Sequence, residues 1–124
     1  MEAERILKRA EEASMLEMNK NDKYLANIQN KLGELYFYTN KLQDALNHLN
    51  KELVLRKTIF DGFHPTILRN YKTLGTVYQQ LGNFTSAKTA FKEALRISLA
   101  INGVNNIETA IIYNNLGPVS YTHL

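Results

Sequence analysis

The feature that most constrains this chain is an interval. Leu32-Gly33, Leu74-Gly75 and Leu116-Gly117 recur at a spacing of 42 residues. The register holds around them. Tyr36 matches Tyr78, Ala45 matches Ala87, Leu49 matches Phe91, Leu53 matches Leu95, Ile59 matches Ile101, and Tyr71 matches Tyr113. A fixed interval of this length marks a supersecondary unit that stacks on copies of itself.

Each unit reads as two helices. Ile67, Leu68, Tyr71, Leu74, Gly75 and Tyr78 fall at steps of three and four, one face of an α-helix. Ala87, Phe91, Ala94, Leu95 and Leu99 do the same after the turn signal Gly82-Asn83. The preceding unit offers Leu25, Ile28, Leu32, Leu35 and Tyr36. After Thr39-Asn40-Lys41 it continues with Leu42, Ala45, Leu49, Leu53 and Ile59. Pro65 suits the first turn of a helix, where its missing N–H costs nothing. Gly62 and Gly103 suit a positive-φ turn after a helix. The first twenty residues predict a helix with Ile6, Leu7, Ala10 and Ala13 on one side, the second helix of an earlier unit. The expected organisation is a partial repeat 1–20, repeats 22–63 and 64–105, and a partial repeat 106–117, so the chain starts and stops in mid-repeat.

Small and large residues alternate for a packing reason. Helices approach to 8–10 Å only where bulk on one meets a gap on the other. Gly33, Gly75, Ala45, Ala87 and Ala94 are the expected gaps; Leu32, Leu74, Tyr36, Tyr78, Leu49 and Phe91 are the expected bulk. A glycine inside a helix costs about 1 kcal/mol against alanine, so its return at one register argues for close helix approach.

Composition sets the bounds. The chain has 124 residues, 44% hydrophobic, enough for one globular domain. Net charge is +3, short of the clustered basic charge of a nucleic-acid binder. The absence of cysteine excludes disulfides and thiolate metal sites. No run approaches 18 apolar residues, and the start Met1-Glu2-Ala3-Glu4-Arg5 lacks an apolar signal region. The expected compartment is cytoplasmic, with no membrane and no nucleic-acid partner.

Leu74-Gly75, Tyr78, Gly82-x-Phe84, Ala87, Phe91 and Ala94 resemble the tetratricopeptide repeat. The earlier unit departs from that pattern at Asn40, Leu42 and Glu52. A period of 42, His64-Pro65 before a first helix, and Asn114-Asn115-Leu116-Gly117 are similar to the kinesin light chain type. The resemblance covers residues 1–117. It implies an all-α fold: antiparallel helix hairpins stacked in a right-handed superhelical solenoid. Residues 118–124, Pro-Val-Ser-Tyr-Thr-His-Leu, break the pattern and resemble translated adaptor sequence, a non-native tail.

In this family the first helices line a concave groove. Carried over by register, the groove residues are Asn30, Lys31, Glu34, Phe37 and Tyr38, then Arg69, Lys72, Thr73, Thr76 and Gln80, then Asn114 and Asn115. Amide, hydroxyl and basic donors suit the backbone of an extended peptide, and Phe37 and Tyr38 suit anchors. Glu34 and Thr76 stand where a carboxylate-binding asparagine would be wanted.

Catalytic chemistry finds no foothold. His48, His64 and His123 share no ligand spacing, so no metal site and no cofactor is expected. His48 falls on the outward side of its helix, and Glu11-Glu12 read as a solvated face. Tyr36, Tyr71, Tyr78, Phe84, Phe91 and Tyr113 read as core. The expected function is a non-catalytic interaction module, a fragment of a scaffold or adaptor that binds a peptide partner. The alternative is the recognition or autoinhibitory arm of a larger enzyme or signalling regulator. A nucleic-acid-reading helical repeat is the weakest reading, since it calls for a 35-residue period and a basic stripe. Exposed apolar surface on the end helices predicts self-association and marginal stability.

Overall fold

The computed structural model describes residues 1–16 and 22–117. The stretch read above as a tail lies outside them. Among the described residues six helices follow one another: α1 (Glu2–Leu16), α2 (Asp22–Tyr38), α3 (Leu42–Ile59), α4 (Pro65–Gln80), α5 (Phe84–Asn102) and α6 (Ile107–Leu116). No strand occurs among the described residues. The all-α helical-repeat class is therefore as expected. The chain divides into two compact units, Met1–Asp61 and Gly62–Leu124. The first contains α1, α2 and α3, the second α4, α5 and α6.

The turns are built by local chemistry. Asn83 caps α5 by accepting from the Ser86 N–H at 3.2 Å, and Asn106 caps α6 by accepting from the Glu108 N–H at 2.8 Å. Before α4, the His64 ring accepts from the Thr66 N–H at 3.2 Å while Pro65 opens the helix. Within the two hairpins, Asn40 (φ 61°) and Gly82 (φ 80°) hold the left-handed position at one register. Asparagine is among the few residues with a side chain that tolerate this region. Gly103 (φ 81°) ends α5 in the same way. Gly62 is not left-handed; α3 ends on Phe60 in extended backbone (φ −115°, ψ 164°), so no positive-φ residue is called for.

Both cores show the expected pairing of gap and bulk. In the first unit, Ala26, Ile28, Leu32, Ala45 and Leu49 are buried; in the second, Ile67, Leu68, Leu74, Ala87, Phe91, Ala94 and Ile97 are. A Cβ placed on Gly33 would stand 2.7 Å from Leu49 Cδ2, and one on Gly75 would stand 2.7 Å from Phe91 Cε1. The glycines are what lets each hairpin close.

Helix α1 departs from expectation. Ile6 and Ala13 are exposed, while Leu7 and Ala10 are half-buried. The buried side chains are Glu11 and Ser14. Ala3 and Leu7 share the register of Ala45 and Leu49, which face the partner inside their own hairpin. The contacts of α1 with α2 and α3 use another face, carrying Glu4, Lys8 and Glu11.

Candidate functional site

The surface residues expected to meet a partner are best described unit by unit. In the first, Lys31, Glu34 and Tyr38 line an apolar cleft of about 480 Å³ with Ala3, Ile6, Leu7 and Leu35. Lys31 Nζ lies 3.6 Å from Glu34. Tyr38 is 80% exposed and its ring meets that of Phe37 edge-on, with centroids 5.5 Å apart. Asn30 is already engaged: its amide donates to the buried Glu52 at 3.2 Å.

In the second unit, Arg69 and Gln80 on α4 are exposed. Lys72 donates to Glu108 of α6 at 2.8 Å, and Asn102 donates to the same carboxylate at 3.1 Å. Thr73 and Thr76 return their hydroxyls to the carbonyls of Arg69 and Lys72. Asn114 and Asn115 are exposed. Asn115 lines a small cleft of about 190 Å³ with Gln79, Phe84, Lys88 and Leu116. Phe84, expected in the core, is 68% exposed because it is the first residue of α5, one turn before the buried Ala87.

Sequence reasoning missed two features. The first is the pair Ile107 (79% exposed) and Ile111 (51% exposed) on α6. By the 42-residue interval they match Pro65 and Arg69, so Ile111 belongs to the same surface column as Arg69. The second is a polar stripe inside the first unit: His48, Glu52 and Arg56, spaced by four along α3 and all buried. The matching residues in α5 are Ala90, Ala94 and Ser98. That contrast was visible as three polar residues where the second repeat has small ones.

Each residue of the stripe has side-chain partners, in two groups. Arg56 Nε donates to Glu52 Oε2 at 2.7 Å, and its Nη2 donates to Asn27 at 3.2 Å. His48 Nδ1 donates to Gln29 Oε1 at 2.6 Å, and the Gln29 amide donates to Glu11. Lys8 Nζ stands 3.3 Å from His48 Nε2. The ring stacks on Tyr36 at 5.4 Å. His48 is thus an interior residue, not an outward one, and Glu11 is a buried acceptor, not a solvated acid. Burial, and then the charge of Lys8, lower the His48 pKa from its ordinary 6.5. Burial and a hydrogen bond to Glu4 push the Tyr36 hydroxyl up to about 12. Among the described residues, no three His, Asp or Glu side chains come together as a metal ion would need, and no helix is long and apolar enough to cross a membrane.

Comparison with known proteins agrees with this architecture. The tetratricopeptide repeat family matches residues 24–100 and 66–121. A clustered mitochondria protein homolog from Kluyveromyces lactis is 32% identical over 81 residues, 65% of this chain. The chain spans only 6% of that relative's length. The crystal structure of BtubC (BKLC) from P. vanneervenii superposes with a TM-score of 0.81 over 99% of this chain and 48% of its own, at 22% identity. At that identity the likeness is one of fold.

Proposed function

The chain belongs to the tetratricopeptide repeat family, and from that membership we propose a non-catalytic protein–protein interaction module, part of a scaffold or adaptor. Repeats of this family generally mediate contacts between proteins. The guest is an extended peptide, taken against the first helices. One observation carries the reading: Lys31, Glu34 and Tyr38 surround an apolar cleft large enough for a side chain, with the Tyr38 ring standing in water. Large aromatic side chains held at a surface are typical binding anchors. Arg69, Thr73, Thr76 and Gln80 supply the corresponding polar groups in the second unit.

Tyr38→Ala and Arg69→Glu test this better than changes at Asn30 or Lys72, which have structural partners. A peptide array probed with the wild type and each variant is expected to lose its positive spots in both variants. Retention of the same spots by both removes the surface from the proposal. The cytoplasm is the proposed compartment. Self-association through the exposed Ile6 and Met15 of α1 and Ile107 and Ile111 of α6 is part of the same reading. A monodisperse monomer in light scattering at high concentration overturns that part.

A second reading is the recognition or autoinhibitory arm of a larger enzyme or regulator. It rests on the small share of the Kluyveromyces relative that the chain matches.

A further inference from the structure

We propose that α1 is a pH-released strap, held on the α2–α3 hairpin by the neutral imidazole of His48 and let go when that ring takes a second proton.

Glu11 orients the contacts of the ring. Its carboxylate accepts from the Gln29 amide nitrogen, which turns Gln29 Oε1 toward His48 Nδ1 at 2.6 Å. An amide oxygen only accepts, so Nδ1 carries the proton. Nε2 then holds the lone pair, and Lys8 Nζ, an obligate donor, faces it at 3.3 Å. The neutral ring is satisfied on both sides, and both of its α1-linked contacts depend on this one tautomer.

A second proton has one place to go, Nε2. There it replaces an accepted hydrogen bond with N–H against an ammonium group. Charges on every side of the ring enter the balance. On α1, Lys8 opposes protonation, and Glu11, 3.8 Å from Nδ1, favours it. On α3, Lys51 opposes it and Asp44 favours it. On α2, Tyr36 stacks on the ring and binds Glu4 of α1 as a neutral phenol. Glu11 favours the cation but is outweighed by burial and by Lys8: it already accepts from Gln29 and lies on the Nδ1 side, away from the Nε2 that takes the proton. Lys8 sits at the edge of the packed face and is 42% exposed, so it can leave for solvent. Of the remaining α1 tethers, the Glu4–Lys41 pair at 4.0 Å is partly exposed, while the Glu11–Gln29 and Glu4–Tyr36 hydrogen bonds must break as the helix leaves. Since α1 has the register of a second helix, its release parts one repeat from the next.

The test uses the full chain, which has no cysteine of its own. Glu12→Cys on α1 and Asn50→Cys on α3, both exposed, take a fluorophore pair. Arg69→Cys and Lys92→Cys take a control pair within the second unit. From about pH 7.5 to about pH 5, the first pair is expected to separate, with a midpoint below 6.5. The docked-to-open ratio changes by up to about tenfold per pH unit, the slope of one linked proton. The control pair stays fixed. His48→Gln, with nothing to titrate, gives one distance at both pH values. Lys8→Gln, a surface change that preserves the fold, also abolishes the response, because glutamine can donate to Nε2 or accept from it. A wild type whose first pair never separates overturns the proposal. So does separation that persists in Lys8→Gln, or that the control pair shares.

Discussion

The ring of Phe91 fills the place where Gly75 lacks a side chain, 2.7 Å from where its Cβ would stand. The relation predicts a change of sign. In the wild type, Gly75→Ala gains up to about 1 kcal/mol of helix propensity but forces the ring aside, which costs about 1–3 kcal/mol. The net expectation is destabilisation. Phe91→Ala alone costs about 3–5 kcal/mol. With Phe91 already truncated, Gly75→Ala is expected to stabilise. Denaturant titration of the four proteins in this cycle decides it. If Gly75→Ala has one sign in both backgrounds, the packing account fails.

The Glu52–Arg56 pair is almost fully buried, and its partners Asn30 and Asn27 are supplied by α2. Arg56→Met is therefore expected to cost about 3–5 kcal/mol, because a charged Glu52 is left in the interior. The double change Glu52→Ala with Arg56→Ser copies the register of α5 and should cost less than Arg56→Met alone. Urea unfolding midpoints of the two variants give the ranking; the opposite order would refute it.

Stability should respond to acid through His48. Its pKa is lower folded than the ordinary 6.5, so the unfolded chain binds the extra proton more readily. Stability is then full above 6.5 and falls as pH drops from 6.5 toward the lowered folded value. In His48→Gln this part of the pH dependence is expected to vanish. Thermal unfolding across that window, in a buffer series of constant ionic strength, is the measurement.

Tyr36 gives the complementary alkaline signature. Its hydroxyl is held near 12, against an ordinary 10, by burial and by Glu4. The folded state keeps that proton longer, so this contribution to stability persists below 10 and is lost as pH rises toward 12. In a near-ultraviolet titration, one of the seven tyrosines should ionise late. Glu4→Gln should bring it earlier; an unchanged curve argues against the contact.

How much of this was legible beforehand depends on the kind of residue. Gly33, Leu49, Gly75 and Phe91 announce themselves because apolar packing repeats with the chain. The turn at Asn40 was readable as the place of a glycine. His48 and Glu11 were misread because polarity was taken as a sign of exposure. Their shared partner, Gln29, lies on α2, and the Lys8 that faces His48 lies on α1, so no local pattern joins His48 to either. Phe84 was misread in the opposite sense: it matches a motif position but sits at a helix start. The candidate surface was legible only as a register. Lys31, Glu34 and Tyr38 converge on a cleft because α1 supplies Ala3, Ile6 and Leu7, which a repeat pattern in α2 does not reveal.

The attachment of α1 through carboxylate, amide, imidazole and phenol groups has a calorimetric meaning. Exposing polar surface contributes little or negatively to heat capacity, whereas opening the α4–α5 core contributes strongly and positively. Chilling weakens oily contacts while leaving hydrogen-bonded ones largely intact. The hold of the first helix should therefore weaken less on cooling than the pairing of α4 with α5 does.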